Sequence, residues 1–357
     1  MKRLGKTALV MAGGTGGHIF PALAVADVLR DTGWRVIWLG NPDGMEGRIV
    51  PSRGYDLEAL RFAALRGKGL LRKLALPFNL LRGFWQAAKI LKRVQPSVAI
   101  GMGGYVTFPG GMMAKLLGIP FLIHEQNSIP GLANRVLARF ARRVLTGFPD
   151  VLPEGVWVGN PLRREIAALA ARADTPEDVL EDAPLRLLVV GGSLGAQALN
   201  SVIPQGLALL PEARRPQVLH QSGEKHLADL QANYAAAGVA ARCVAFIDDM
   251  AGAYAWADLA IFRAGALTIA ELAAAGVPAV LVPFPHAVDD HQTANAKFLS
   301  TAGGAFLLPQ GELTPEAVAR IGHYSRAQLR EMAAKARALA RPDAAGTVAA
   351  VVKEIAL

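Results

Sequence analysis

The chain has a single cysteine, Cys243, so no disulfide can form within it, which suits a reducing compartment. Cys243 lies in the apolar run Arg242 to Ile247 and reads as a small core residue rather than a nucleophile. No stretch reaches the roughly 18 uncharged apolar residues that a membrane span requires. The first apolar run, Thr7 to Ala12, follows Lys2, Arg3 and Lys6, but it is too short for a signal-peptide core and lacks a cleavage region. These absences predict a cytoplasmic protein that does not cross a membrane. Metal-ligand spacing is lacking too. His286 and His291 are not i and i+4, and no further cluster joins them with Asp289 and Asp290. Neither of the two main glycine-rich turns matches GxGxxG, and the second strand ends Leu39-Gly40-Asn41, without an acid placed to hold an adenosine ribose. Both points argue against a nicotinamide-dependent oxidoreductase.

Acidic residues are absent from one long segment. From Arg61 to Arg93 there are nine Lys and Arg and no Asp or Glu, which equals the whole net charge of +9. Leu70, Leu71, Leu74, Leu76, Phe78, Leu80, Leu81, Phe84 and Trp85 are interleaved with the cations. Bulky aliphatic and aromatic side chains among cations suit an anionic membrane surface. A nucleic-acid patch would carry spaced stacking aromatics instead, so no nucleic-acid partner is expected. A plain amphipathic helix pair is the other reading. Pro77 is expected to break the segment into a loop and a helix.

Length and apolar content point to two domains. The 357 residues exceed one ordinary domain, and 52% hydrophobic content is enough for two cores. The pattern of elements repeats accordingly. Thr7 to Ala12 reads as a buried strand, Gly13-Gly14-Thr15-Gly16-Gly17-His18 as a turn, Phe20 to Arg30 as a helix and Trp34 to Leu39 as a strand. A second glycine-rich turn, Gly101 to Gly111, follows the strand Val98 to Met102, with a helix expected from Met112 to Leu117. Strand Phe121 to Ile123 runs into His124-Glu125-Gln126-Asn127, four polar residues at a carboxyl end, where open α/β sheets bind ligands. Their other reading is a hydrogen-bonded loop, and that of His18 a helix cap or a surface residue.

Past Gly159-Asn160-Pro161 and an acidic linker, the pattern restarts. Leu185 to Val190 is a strand, Gly191-Gly192-Ser193-Leu194-Gly195-Ala196 a turn, and Gln197 to Leu209 a helix. Later, Asp258 to Phe262 reads as a strand feeding a turn at Ala264-Gly265 and a helix to Ala275, stopped by Gly276 and Pro278. The free N–H groups at that helix start favour a diphosphate, with Glu271 about one turn in for ribose hydroxyls. An ordinary crossover helix with a dipole-stabilising Glu is the alternative. Asp289, Asp290, His291, Gln292 and Asn295 offer donors and acceptors suited to sugar hydroxyls.

Seven motifs stand in order along the chain: Gly13 to His18, Gly103-Gly104-Tyr105, His124 to Asn127, Gly159-Asn160-Pro161, Gly191 to Ser193, Arg263 to Thr268 with Glu271, and Asp290 to Gln292 with Asn295. In these the chain resembles the MurG family of glycosyltransferases nearly end to end. The resemblance implies an α/β protein of GT-B architecture, two doubly wound Rossmann-like domains facing across a cleft. Residues 1–160 would be the acceptor and membrane-facing domain, with a C-terminal helix of about 342–357 packing back on it. Residues 161–341 would bind UDP-GlcNAc. The implied reaction moves N-acetylglucosamine, with inversion, from UDP-GlcNAc to the C4 hydroxyl of the MurNAc of lipid I, giving lipid II for peptidoglycan. Residue by residue, Thr15, Gly16 and Gly17 would border the donor sugar and diphosphate, and Asn127 would meet the N-acetylglucosamine. Arg163 and Ser193 would hold nucleotide and phosphates, and Ile247 would bind uracil through its backbone. Ala266, Leu267, Thr268, Ile269, Ala270 and Glu271 would form the phosphate and ribose site, and Gln292 would hold sugar hydroxyls. His18 is the candidate base, with Glu125 as the alternative. The family works without a metal or other cofactor. By resemblance the protein would sit peripherally on the cytoplasmic face of the bacterial inner membrane, with cell-wall synthesis and division proteins as partners.

Overall fold

The computed structural model describes residues 6–62, 70–171, 183–192 and 195–356, with residues 70–76 and Val288 described by backbone alone. The chain forms two compact units, Met1–Arg163 with Arg341–Leu357, and Arg164–Ala340. The first contains β1 (Thr7–Met11), α1 (Gly16–Asp31), β2 (Arg35–Gly40), α2 (Met45–Ser52), β3 (Asp56–Ala59) and α3 (Leu70–Val94). It continues with β4 (Val98–Gly101), α4 (Thr107–Leu116), β5 (Phe121–Glu125), α5 (Leu132–Leu137), β6 (Arg143–Thr146) and β7 (Val156–Trp157). The second contains α6 (Arg164–Ala167), β8 (Arg186–Val190), α7 (Gln197–Ala208), β9 (Gln217–Gln221), α8 (Leu227–Ala237) and β10 (Arg242–Val244). After these come α9 (Met250–Trp256), β11 (Leu259–Phe262), α10 (Ala266–Ala275), β12 (Ala279–Leu281), α11 (His291–Thr301), β13 (Ala305–Leu307), α12 (Pro315–Ala319) and α13 (Arg326–Ala338). Finally α14 (Ala344–Ile355) returns to the first unit.

The strand order is β3-β2-β1-β4-β5-β6-β7 in the first sheet and β10-β9-β8-β11-β12-β13 in the second, all parallel. Each sheet therefore reverses its winding once, between β1 and β4 and between β8 and β11. Those two points are where doubly wound sheets open a crevice at their carboxyl ends.

Parallel strands covered on both faces need continuous apolar runs, and β1 supplies one. Ala8 and Val10 face Ile19, Val25 and Leu29 of α1, while Leu9 and Met11 face Ala87 and Leu91 of α3 and Ala114 of α4. Val348, Val352 and Ile355 of α14 complete the α1 side. In the second unit Leu187 and Val189 of β8 pack with Leu199, Ile203 and Leu207 of α7. Cys243 is half-buried and free, with its thiol pushed up by burial.

Two expectations need correction. Pro77 does not split its segment: α3 runs unbroken from Leu70 to Val94. Pro77 is exposed, so the carbonyl four residues back, deprived of its donor, can turn to water. The inner face of the helix, Ala87, Ile90 and Leu91, is anchored in the core. The helix after the second glycine turn begins at Thr107, not Met112, and takes Gly110 and Gly111 into its length. Arg66 and Lys68 of the basic segment lie outside the described residues, as do Ser193 and most of the acidic linker. Among the described residues no helix is long and apolar enough to cross a membrane.

Candidate active site

The turn after β1 hands directly to α1, whose N-cap is Thr15. Thr15 makes no capping hydrogen bond and the first turn of α1 carries no acid. Thr15 and Gly17 are exposed, and Gly16 and His18 half-buried. Beneath the turn lies Glu46, fully buried, which sequence reasoning had passed over. Its carboxylate accepts from Gly14 N (3.1 Å) and Asn41 N (3.0 Å), tying the β1 and β2 exits together. Trp38 adds a third tie, its Nε1 donating to Ala12 O at 2.8 Å.

His18 is set by residues from two other strand ends. Gly103, in the loop after β4, has φ +94°, and a Cβ there would sit 2.5 Å from His18 Nδ1. The same Nδ1 lies 2.9 Å from Gln126 Oε1. Gln126 is itself buried, with Nε2 3.1 Å from His124 O and 3.1 Å from His124 Nδ1. His124 Nε2 in turn lies 2.9 Å from Gly159 O. His124 is wholly buried, and desolvation brings its pKa down to about 4, so the ring is neutral near pH 7.

Glu125 is differently placed. Its carboxylate accepts from Asn127 N (3.0 Å), Gly131 N (3.1 Å) and Asn134 Nδ2 (2.9 Å), and it is 2% exposed. A carboxylate so enclosed holds the 125–134 loop, and with it Asn127, in shape. Tyr105, from the β4 loop, accepts from Asn41 Nδ2 at 3.2 Å.

In the second unit, α10 begins at the reversal point after β11. Its N-cap is Gly265, which offers no side-chain cap, and its first turn has no acid. Gly276 closes it in the left-handed region (φ +64°), as Gly at a helix end should. Glu271 is half-buried and accepts from Tyr254 Oη at 2.9 Å. Tyr254 stacks on Phe262, so the carboxylate is held against a rigid pair; nothing in the local pattern of Met250 to Trp256 had marked this tyrosine. Leu267, Thr268 and Ala270 are half-buried, whereas Ala266 and Ile269 point into the core. A ligand would therefore meet those two through their backbone. Arg263 donates to Val282 O, Pro283 O and Gln310 Oε1, and Asn295 Nδ2 donates to Ala264 O at 3.2 Å. Both stabilise the turn ahead of α10. Gln292 Oε1 accepts from Phe284 N at 2.9 Å. Ile247, in the loop after β10, and Arg163 are half-buried.

The structure thus brings Thr15, Gly16, Gly17, His18, Glu125 and Asn127 to one sheet's carboxyl edge, and the Ala266 to Glu271 helix start with Gln292 to the other's. Among the described residues no three of His, Cys, Asp and Glu gather as a metal site.

Known proteins match this architecture along its whole length. Residues 8–146 match the N-terminal domain model of glycosyltransferase family 28, and residues 186–349 its C-terminal domain model. Over 353 residues the chain is 67% identical to the UDP-N-acetylglucosamine--N-acetylmuramyl-(pentapeptide) pyrophosphoryl-undecaprenol N-acetylglucosamine transferase of Dechloromonas aromatica (strain RCB), covering 99% of this chain and 100% of that protein. It is 62% identical to the protein of the same name from Azoarcus sp. (strain BH72), with 98% of each covered. The crystal structure of Acinetobacter baumannii MurG superposes with a TM-score of 0.83 at 41% identity, covering 98% of this chain and 99% of that one. The chain belongs to glycosyltransferase family 28 and, within it, to the MurG family of GT-B enzymes.

Proposed function

We propose that the chain transfers N-acetylglucosamine from UDP-GlcNAc to the C4 hydroxyl of the MurNAc of lipid I, with inversion, yielding lipid II and UDP. The observation that carries this reading is α10: an N-terminus without cap or acid at the reversal point of its sheet, with a fixed carboxylate one turn in. The helix dipole and N–H groups there stabilise the departing diphosphate, and Glu271 receives the ribose hydroxyls. Ile247 offers its backbone to uracil, Gln292 and Asn127 contact the sugar, and Arg163 and Ser193 hold nucleotide and phosphates. Residues 161–341 are thereby the donor domain.

Residues 1–160 with the helix near 342–357 are the acceptor domain. Thr15, Gly16 and Gly17 border the diphosphate and sugar. His18 accepts the proton of the attacking hydroxyl as the new O4–C1 bond forms and the bond from C1 to the phosphate oxygen breaks, with its electron pair leaving on UDP.

Membrane docking belongs to α3. Phe78, Leu81 and Trp85 are 76%, 66% and 65% exposed on one stripe, with Arg82 and Lys89 beside them and Lys89 Nζ over the Trp85 ring. An exposed apolar stripe flanked by cations supports peripheral attachment to the anionic cytoplasmic face of the inner membrane, where lipid I resides. Partners among cell-wall synthesis and division proteins would meet the enzyme there.

The test is transfer of labelled N-acetylglucosamine to a short-chain lipid I analogue with EDTA present. Labelled disaccharide lipid is expected. UDP binding without product would move the enzyme to another acceptor, and loss of both would remove the transferase reading.

A further inference from the structure

From the hydrogen-bond chain Gly159–His124–Gln126–His18 we infer that Gln126 and His124 are positioning residues that hold neutral His18 as its Nδ1–H tautomer, with the Nε2 lone pair directed to the acceptor. The inference deepens the transferase reading and rests on it, since a proton acceptor matters only where a hydroxyl is deprotonated.

The direction of each bond follows from chemistry. A backbone carbonyl can only accept, so the end of the Gln126 carboxamide facing His124 O at 3.1 Å must be its NH2 group. That same nitrogen has a second hydrogen, and it lies 3.1 Å from His124 Nδ1, which must therefore be the unprotonated ring nitrogen. His124 Nε2 then carries the hydrogen, and it faces Gly159 O at 2.9 Å, a pure acceptor. The other end of the carboxamide, Oε1, can only accept, and it faces His18 Nδ1 at 2.9 Å. His18 Nδ1 must donate, which in a neutral imidazole leaves Nε2 bare.

Every member of the chain has one consistent role, and each end terminates on a fixed group. Burial enforces the arrangement. Gln126 is 1% and His124 0% exposed, so water cannot substitute for a misdirected partner. Asn160 Nδ2 donates to Gln126 O at 3.0 Å and Asn134 Nδ2 to His124 O at 3.3 Å, fixing the backbone that carries both side chains. Gly103, without a Cβ, leaves space for the Nδ1 edge of the His18 ring.

In the reaction the proton of the acceptor hydroxyl passes to His18 Nε2 as O4 bonds to C1 and UDP leaves with the electron pair. The resulting imidazolium keeps its Nδ1–H bond to Gln126 Oε1, whose carbonyl dipole faces the new positive charge. The reverse tautomer would present a hydrogen to the acceptor hydroxyl and could not take its proton.

The test reads the tautomer directly, on the full chain with 15N-labelled histidine at roughly pH 8, above the ordinary imidazole range. His18 signals are assigned by their loss in His18→Asn. The expected spectrum has His18 protonated at Nδ1 and His124 at Nε2. His18 protonated at Nε2 in the wild-type protein would overturn the inference, even in an enzyme fully active in transfer. Conversely, an Nδ1–H spectrum in a protein without transferase activity would remove the functional reading and leave the tautomer in place.

Variants separate positioning from mere support. Gln126→Leu should move His18 toward Nε2–H and lower kcat about 10²-fold, with the KM for UDP-GlcNAc within about twofold. Gln126→Glu still presents an oxygen to His18 Nδ1 but sets its second oxygen against His124 O and Nδ1 in place of a donor. It should therefore retain the His18 Nδ1–H tautomer, move the His124 hydrogen from Nε2 to Nδ1, and keep kcat above that of Gln126→Leu. Equal losses in both variants with an unchanged His18 spectrum would assign Gln126 a structural role only. Should Gln126→Leu fail to fold, the wild-type spectrum and Gln126→Glu decide the matter.

Discussion

Glu46 and Glu125 are buried carboxylates, and each is occupied by the backbone it supports. Glu46 accepts the amides of Gly14 and Asn41 under the first glycine turn. Glu46→Ala would leave those donors facing a void, at a cost of about 2–3 kcal/mol, read as a lower urea midpoint for the first unit. Buried imidazoles set a pH dependence of stability. His124 is held down to about 4 and His220 to about 3 by desolvation, against 6.5 in the unfolded chain. Between pH 6.5 and those values the unfolded chain binds protons that the native protein does not, so stability is full above about pH 6.5 and falls as pH drops. Denaturant titrations at pH 7 and pH 5 should differ by on the order of 2 kcal/mol for each ring, one in each unit. The position of His18 and Asn127 just past strand ends was legible in the sequence, because an apolar run followed by a glycine turn or by polar residues marks where a strand stops. Glu46 and Tyr254 were not, because nothing local to either residue reveals which turn or helix its side chain will reach.

At the scale of elements, glycine was the source of both success and error. Gly276 and Pro278 marked the end of α10 because the left-handed cap is a local requirement that glycine meets. Gly16, Gly17, Gly110 and Gly111 were read as turn, yet they lie inside α1 and α4. At Gly110 and Gly111 the helix is held by tertiary packing: a Cβ on Gly110 would collide with Met11 and one on Gly111 with Leu137, so the missing side chains admit β1 and α5. Low propensity there is overridden by close approach. The short β3, β13 and α2 carry too few residues for a periodic signal, and they went unread. Helix α3 carries a prediction of its own. Replacing Phe78, Leu81 and Trp85 with serine should leave the melting temperature within a few degrees, since all three are exposed. The same triple variant should weaken binding to anionic vesicles more than about tenfold. Unchanged vesicle binding would reassign that stripe.

At the scale of the whole molecule, two sheets of the same winding were foreseeable from the repeated strand, glycine turn and helix. The return of the chain to its first unit was implied by the resemblance, as a helix of about 342–357. The apolar positions Val348, Val352 and Ile355 of α14 pack in the same core as α1. Ile355→Ala should cost the first unit roughly 3 kcal/mol, seen as an earlier first transition in calorimetry, with the second unit unaffected. The proposed division of labour assigns most nucleotide contacts to the second unit and the proton to the first, and one measurement tests it most directly. Turnover of a lipid I analogue by His18→Ala is compared with its affinity for UDP, each relative to the wild-type protein. The account predicts turnover reduced at least about 10²-fold and UDP affinity within about twofold. Equal loss of both, or turnover left intact, would contradict it.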